Sequence, residues 1–225
     1  MIVIGHRGAS GYQPENTLAA FRAAAALGCS WVELDVRAVH GRLLVIHDEQ
    51  LERTTNGTGA LTDHALDALR ALDAGMGQRI PFLEEVLDTL AGDVSINVEL
   101  KGLGAAELTS QLLSNACSEG TWQTHQFLIS AFNHRELVKA DQQFNRGILW
   151  GKTHPEMIER SIALGGQWMN IELQTATADL IDRAHAAGLK VAVYTVNDPD
   201  NIEAMRKLAV DAIFCDYPDR AMTTD

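Results

Sequence analysis

The sequence is poor in cysteine and in long apolar runs, and each shortage excludes a class of protein. Its three cysteines, Cys29, Cys117 and Cys215, are odd in number, far apart and match no CxxC metal or redox pattern. No stretch approaches the roughly 18 uninterrupted apolar residues of a membrane-spanning helix. The start also lacks a basic region followed by an apolar segment of roughly 7 to 15 residues. We therefore expect a reduced, cytoplasmic protein without stable membrane insertion.

Basic residues are also in short supply, with 18 Lys+Arg against 30 Asp+Glu and a formal net charge of −12. A chain with so little basic surface cannot neutralise the phosphates of a polyanion, so we expect no nucleic-acid partner. A local cationic site for a single phosphate group is compatible with this balance. The length of 225 residues, 46% of them hydrophobic, suits one compact domain over residues 1–225.

Short β-branched runs alternate with longer helical patterns along the whole chain. The predicted strands are Ile2–Gly5, Trp31–Val36, Ser95–Leu100, Phe127–Ser130, Gly147–Leu149, Trp168–Ile171, Val191–Thr195 and Ala212–Cys215. The predicted helices are Thr17–Leu27, Leu83–Leu90, Ala105–Ser118, His134–Asp141, Pro155–Leu164, Ala178–Ala187 and Pro199–Leu208. Eight strands separated by helices predict parallel crossovers, and eight is the number that closes a (β/α)8 TIM barrel.

The alternation breaks once, after the second strand. A small insertion at about residues 39–80 contains a further predicted strand, Leu43–Ile46, and a run rich in turn-forming residues, Thr54–Gly59. An insertion of this size usually forms a cap over a site or one wall of it.

Acidic side chains alternate with apolar ones in two of the predicted strands. Glu33 and Asp35 lie two residues apart, so both point to the same face, about 6.6 to 6.8 Å apart along the strand. Asn97, Glu99 and Lys101 repeat this pattern in the next strand of the barrel. Because consecutive parallel strands are usually neighbours, we expect the three carboxylates to meet at the mouth of the barrel.

Three carboxylates in one place repel one another, and each raises the pKa of the others. A divalent cation relieves this repulsion, and ligands that are all oxygen suit Mg²⁺ or Ca²⁺ better than Zn²⁺. The sequence therefore predicts one such cation held by Glu33, Asp35 and Glu99. The alternative is that each acid pairs with a surface Arg or Lys.

Two histidines follow apolar strands at the same predicted end of the barrel. His6 ends the first strand and His47 ends the additional strand of the insertion. Two imidazoles flanking a bound phosphate supply a general base and a general acid, each worth roughly 10²- to 10⁴-fold in rate. The alternative is that both rings are structural residues held by hydrogen bonds. Arg7 and Lys101 supply positive charge at the same rim, suited to binding phosphate oxygens.

These residues lie in motifs that closely resemble the glycerophosphodiester phosphodiesterases along the whole chain. The motifs are His6-Arg7-Gly8, Pro14-Glu15-Asn16-Thr17, Glu33-Leu34-Asp35-Val36, His47-Asp48, Leu51-Glu52-Arg53-Thr54-Thr55-Asn56-Gly57-x-Gly59, Asn97-x-Glu99-x-Lys101, Tyr194-Thr195-Val196-Asn197-Asp198 and Asp216-Tyr217-Pro218.

The resemblance implies a TIM barrel with a small insertion after the second strand, and release of glycerol 3-phosphate and an alcohol. It further implies that Glu33, Asp35 and Glu99 are metal ligands, that His6 and His47 are catalytic, and that Arg7 and Lys101 contact the phosphate. We expect a small glycerophosphodiester as substrate.

Several alternatives stay open at this point. The nucleophile is either water or the substrate's own glycerol 2-hydroxyl, and either histidine can serve as the base. A rival activity is that of a lysophospholipase D or a phospholipase C-like enzyme acting on lipids, although the insertion has no aromatic-rich or basic amphipathic segment. A second rival is a barrel that has lost catalysis and only binds a phosphorylated ligand.

Overall fold

The computed structural model describes residues 1–222 of the chain. Their strands are β1 (Ile2–Gly5), β2 (Trp31–Val39), β3 (Arg42–Val45), β4 (Ser95–Leu100), β5 (Phe127–Ala131), β6 (Asn145–Trp150), β7 (Trp168–Glu172), β8 (Lys190–Tyr194) and β9 (Ala212–Cys215). Their α-helices are α1 (Leu18–Ala26), α2 (Leu66–Ala71), α3 (Leu83–Leu90), α4 (Ala105–Ser118), α5 (His134–Leu137), α6 (Met157–Ala163), α7 (Ala178–Ala186) and α8 (Pro199–Lys207).

Eight of these strands close a parallel barrel. They follow the order β1, β2, β4, β5, β6, β7, β8 and β9, and β1 pairs with both β2 and β9. The predicted TIM barrel is therefore confirmed, with β3 as an additional strand outside the barrel. Within residues 1–222, no helix combines the length and apolar character needed to cross a membrane.

The extra strand is half of a hairpin. β2 was expected to end at Val36 but continues to Val39, because its last residues pair with antiparallel β3. The connecting residues His40 and Gly41 both have positive φ angles, 48° and 76°. Two positive φ angles are typical of the type I′ turn, whose twist matches that of the flanking strands.

The hairpin returns the chain to a position beside Asp35 of β2. The backbone N–H of Ile46 donates to the carbonyl of Asp35 at 3.0 Å, and Arg37 Nε donates to the carbonyl of His47 at 2.8 Å. These two bonds place His47 beside the carboxylates of β2, although it lies in a segment outside the barrel.

The remainder of the insertion contains α2, a six-residue helix too short to show a periodic pattern in the sequence. The insertion has an apolar cluster of its own, separate from the main core. Its buried members are Val39, Leu44, Ile46, Leu51, Leu61, Leu69, Ala74 and Ile80. Because Val39, Leu44 and Ile46 come from the hairpin, this cluster attaches the insertion to the barrel.

Helix α5 is shorter than expected, ending at Leu137 rather than Asp141. The carbonyls of Val138 and Ala140 accept hydrogen bonds from the buried Arg146 guanidinium, at 3.3 and 2.7 Å. An arginine of the following strand thus bonds carbonyls that would accept helical hydrogen bonds if α5 continued. The sequence of α5 alone does not show this competition.

The barrel interior is a packed core below the carboxyl ends of the strands. Its apolar side consists of Ile4, Leu128, Trp168, Ala192, Ala212 and Phe214. The inward positions of β4, β5 and β7 instead hold the buried polar residues Asn97, Ser130 and Asn170. Side chains therefore fill the inside of the barrel, as usual for this fold. The layer of side chains nearest the carboxyl ends of the strands forms the floor of the site.

The turn between β1 and α1 depends on one glycine. Arg7 and Gly8 both adopt left-handed backbone conformations, with φ of 54° and 82°. A Cβ atom on Gly8 would lie 2.5 Å from the backbone carbonyl carbon of Ala20 in α1. Glycine thus allows α1 to pack directly on the turn that orients Arg7.

We predict that Gly8→Ala costs about 3 kcal/mol of unfolding free energy, because a left-handed alanine is strained and its Cβ overlaps α1. Gly41→Ala is the matched control, since Gly41 also has positive φ but no atom lies within 4 Å of the added Cβ. It should cost only about 1 kcal/mol. Denaturant titration of both variants measures the difference, and equal losses would contradict the packing argument.

Candidate active site

Three carboxylates meet where β2 and β4 end. Glu33 and Asp35 come from β2, and the register of the parallel pair places Asp35 directly beside Glu99 of β4. One oxygen from each of the three lies within 4.8 Å of the other two, and all three residues are buried. The alternation of the two strands therefore brings the acids into one cluster.

Two basic side chains contact this cluster. Arg7 Nε lies 3.2 Å from Asp35 Oδ2, and its backbone N–H donates to Glu33 Oε2 at 2.9 Å. Lys101 Nζ lies 3.3 Å from Asp35 Oδ1 and also contacts Glu99 Oε1. Three carboxyl groups thus face two positive charges, in surroundings from which most water is excluded.

Burial and the excess of acids over basic groups raise the pKa of two of the three acids, while the third, Asp35, keeps a lowered pKa. Burial raises the pKa of Glu33 well above its ordinary value, and the charges of Asp35 and Glu99 raise it further. Burial and Asp35 together raise the pKa of Glu99 to about 7. For Asp35, burial acts in the same direction, but Lys101 and Arg7 outweigh it and hold the pKa below the ordinary value.

The cluster has the chemistry of a site for a hard divalent cation. Its potential ligands are all carboxylate oxygens, which Mg²⁺ and Ca²⁺ prefer. The buried Glu33 Oε1 accepts no hydrogen bond within residues 1–222, and such an orphaned acceptor is costly unless a cation or a donor meets it. The residues present therefore fit a divalent ion.

His6 lies at the end of β1 and is oriented by a carboxylate. Its Nδ1 is 2.7 Å from Asp216 Oδ1, and its Nε2 is 3.9 Å from Glu33 Oε2. Ser10 Oγ and Asn197 Nδ2 donate to Asp216 at 2.9 and 2.6 Å. Burial tends to raise the pKa of Asp216, but these donors and His6 lower it to about 2.

His47 has the same arrangement with its sequence neighbour. Its Nδ1 is 2.5 Å from Asp48 Oδ1, and burial lowers the pKa of the ring. Because an ionised carboxylate only accepts hydrogen bonds, Nδ1 of His47 carries a proton, and the same holds for Nδ1 of His6 beside Asp216. In both rings, Nε2 is then the nitrogen available for proton transfer with a ligand.

The two histidines, the two basic residues and two of the acids, Glu33 and Glu99, line one wall of a pocket of about 190 Å³. The opposite wall is apolar. It is formed by Phe132, which follows β5, and by Leu149 of β6, Tyr194 of β8 and Phe214 of β9. A larger groove of about 600 Å³ runs between α3 and α4, but none of the predicted site residues lines it. Chemistry rather than size thus identifies the candidate site.

The structure brings the predicted site residues together. His6, Arg7, Glu33, His47, Glu99 and Lys101 line the pocket, and Asp35 lies directly behind Arg7 and Lys101. Asp48 and Asp216, which orient the two rings, were not among the predicted site residues. Asp216 directly follows the barrel strand β9, so the rule that site residues follow barrel strands could have found it. Asp48 follows β3, outside the barrel, and its only signal in the sequence is its place next to His47.

Comparison with known proteins gives the family. Residues 6–220 match the model of the glycerophosphoryl diester phosphodiesterase family. The chain belongs to this family. It is therefore a phosphoric diester hydrolase. Among its relatives is the glycerophosphodiester phosphodiesterase of Bacillus altitudinis, 34% identical over 98% of this chain and 96% of the relative. The enzyme of the same name from Caldanaerobacter subterraneus is 33% identical, covering 97% and 95%.

Solved structures of family members have the same fold. A phosphodiesterase from Oleispira antarctica, solved in complex with its product sn-glycerol-3-phosphate, superimposes with a TM-score of 0.89. It is 31% identical, and the match covers 98% of this chain and 95% of that one. A glycerophosphodiester phosphodiesterase from Agrobacterium tumefaciens gives a TM-score of 0.84 at 28% identity, covering 98% of each chain. The activities in the names of these relatives do not favour the alternative of a lysophospholipase D or a phospholipase C-like enzyme.

We predict that Glu33→Gln makes the metal-free protein more stable, because a neutral amide removes the cost that burial, Asp35 and Glu99 impose on this carboxyl group. Glu136→Gln is the matched control: Glu33 is 2% exposed and Glu136 0%. Although burial alone would raise the pKa of Glu136, its ion pair with Lys139 and a backbone donor lower it. Thermal unfolding in EDTA should show a higher Tm for the first variant and a lower Tm for the second. Two shifts of the same sign would contradict the repulsion.

Proposed function

We propose that this enzyme hydrolyses glycerophosphodiesters to sn-glycerol 3-phosphate and an alcohol, using one divalent cation and an acid–base pair of histidines. The observation that carries the proposal is a pocket where two carboxylates of the three-acid cluster, Glu33 and Glu99, meet two carboxylate-bound imidazoles. The product held by the Oleispira antarctica phosphodiesterase supports a small-molecule substrate of this kind.

Glu33, Asp35 and Glu99 are the proposed ligands of Mg²⁺ or Ca²⁺. When bound, such an ion polarises a non-bridging phosphate oxygen and neutralises the charge that develops on it. Arg7 and Lys101, which already contact the carboxylates, are the proposed phosphate-binding residues. The planar guanidinium can bond two phosphate oxygens, while the ammonium acts as a point charge.

His6 and His47 are the proposed acid–base pair. One Nε2 accepts the proton of the attacking hydroxyl, and the other donates a proton to the leaving alcohol oxygen. Asp216 and Asp48 keep Nδ1 of each ring protonated, which directs the exchangeable position towards the pocket. The nucleophile is water or the glycerol 2-hydroxyl. Phosphorus NMR during turnover distinguishes them, because only the second route passes through a cyclic phosphate.

Metal dependence has both an activity test and a binding test. In a coupled assay, release of glycerol 3-phosphate from a panel of glycerophosphodiesters should stop in EDTA and return with Mg²⁺ or Ca²⁺. A cation at about 100 times its Kd should stabilise the fold by about 2.7 kcal/mol, or roughly 5 to 10 °C in Tm. Glu99→Gln should lose most of this shift and Glu136→Gln should keep it. Undiminished activity after thorough chelation would remove the metal from the proposal.

The histidine roles predict that His6→Gln and His47→Gln each lower kcat by about 10²- to 10⁴-fold with the fold intact. His185→Gln is the control, because His185 also lies against a carboxylate, with its Nε2 2.9 Å from Asp211 Oδ2. That pair lies on α7 and before β9, at the amino end of the barrel, so this variant should retain wild-type kcat. Initial rates and circular dichroism spectra of all three variants test the assignment, and wild-type rates for His6→Gln or His47→Gln would refute it.

A further inference from the structure

Arg53, in the insertion, bridges two carboxylates at the edge of the pocket. Its Nε and Nη2 lie 2.5 and 3.1 Å from the two oxygens of Asp48. Its Nη1 and Nη2 lie 2.8 Å from the two oxygens of Glu15. A single planar guanidinium therefore bonds both carboxylates in a bidentate manner, a geometry that a lysine ammonium cannot reproduce.

Each of these carboxylates in turn contacts a proposed site residue. Asp48 Oδ1 lies 2.5 Å from His47 Nδ1, and Glu15 Oε1 lies 2.7 Å from Arg7 Nη1. The contacts form one continuous chain, from Arg7 through Glu15, Arg53 and Asp48 to His47. It connects the β1–α1 turn with the hairpin that delivers His47, two segments that are far apart in sequence.

The two histidine–carboxylate pairs differ in what holds the carboxylate. Ser10 and Asn197 fix Asp216, which orients His6. Asp48 is 25% exposed and is bonded by Arg53 and by the ring that it orients. Without Arg53, a partly exposed Asp48 would be free to rotate towards water, because a short side chain at the rim gains solvation by doing so.

We propose that Arg53 is a positioning residue for the reaction. By bonding Asp48 and Glu15 together, it aligns the His47 ring and the Arg7 guanidinium as one unit across the rim of the pocket. The insertion thereby orients the catalytic groups in addition to supplying His47. This inference rests on the proposed role of His47.

A positioning role and a stabilising role predict different effects on rate and on Tm when Arg53 is replaced. Its side chain is 47% exposed, and ion pairs of such exposure contribute little to stability. Removal should therefore change Tm by no more than roughly 2 °C. Small displacements of a catalytic group, in contrast, lower rates strongly. A large loss of rate with an unchanged Tm is the expected signature.

The first experiment compares Arg53→Gln and Arg53→Lys with Arg183→Gln. Arg183 is the matched control because it is 54% exposed and pairs with Asp179 at 3.4 Å on α7, away from the pocket. We expect kcat to fall about 10- to 100-fold in Arg53→Gln, with KM changed less than about threefold. Lysine should restore only part of the loss, and Arg183→Gln should match the wild type. A wild-type kcat in Arg53→Gln would overturn the inference.

A double-mutant cycle tests the path through Asp48. If Arg53 acts on His47 by holding Asp48, Arg53→Gln should lower kcat less than about twofold further in an Asp48→Asn background. Fully multiplicative losses would show that Arg53 does not act through Asp48, and would overturn the alignment of His47 on which the inference rests.

Histidine NMR supplies a readout that a merely structural role would not move. In protein labelled with ¹⁵N-histidine, the Nδ1–H signal of His47 should broaden or shift in Arg53→Gln. The corresponding signal of His6, bonded to Asp216, should stay unchanged and serves as the internal control. Unchanged signals for both rings would contradict the positioning role.

Failure of this inference is distinguishable from failure of the proposed function. If the wild type and Arg183→Gln release glycerol 3-phosphate and His47→Gln does not, the proposed function holds. A wild-type Arg53→Gln variant would then refute the positioning role alone. Full activity of His47→Gln would refute both.

Discussion

Mutual repulsion among three buried carboxylates is the interaction on which the rest of the site depends. Glu33, Asp35 and Glu99 converge because β2 and β4 pair in register, and burial makes their charges costly. Two basic residues offset part of this cost. Arg7 bonds two of the acids, one through its side chain and one through its backbone N–H, and Lys101 contacts two acids through its ammonium group. The remaining negative charge suits a divalent ion. A cluster of this kind lowers the stability of the protein when no cation is bound.

A carboxylate orients each of the two imidazole rings, but different groups hold the two carboxylates in place. His6 is part of the barrel, and Asp216, Ser10 and Asn197 hold it through segments that follow barrel strands. His47 comes from a hairpin outside the barrel, so its carboxylate needs an external support, which Arg53 supplies. The separate apolar cluster of the insertion therefore bears on the site, since a loosely attached hairpin would leave the His47 ring without a fixed position beside the carboxylates.

Much of the fold and of the candidate site followed from local patterns. Period-two alternation identified the strands that carry the acids, and the rule for barrel strand ends selected His6. The shorter α5 was missed because Arg146, from the next strand, takes its carbonyls. The antiparallel pairing of β3 was missed because it depends on the turn at His40 and Gly41, where both φ angles are positive. The helix α2 was missed because six residues are too few to show a periodic pattern. Local patterns report what a segment prefers, and not which neighbour will compete for its hydrogen bonds.

The sequence by itself determined the barrel, the family resemblance and the seven candidate site residues, because side-chain alternation and ordered motifs are properties of the linear chain. Only the tertiary structure decided which carboxylate orients each histidine and that Arg53 joins Glu15 to Asp48. The partners in these contacts are as far as 210 positions apart. Their meeting depends on barrel closure and hairpin register, which are set by the packing of the whole chain.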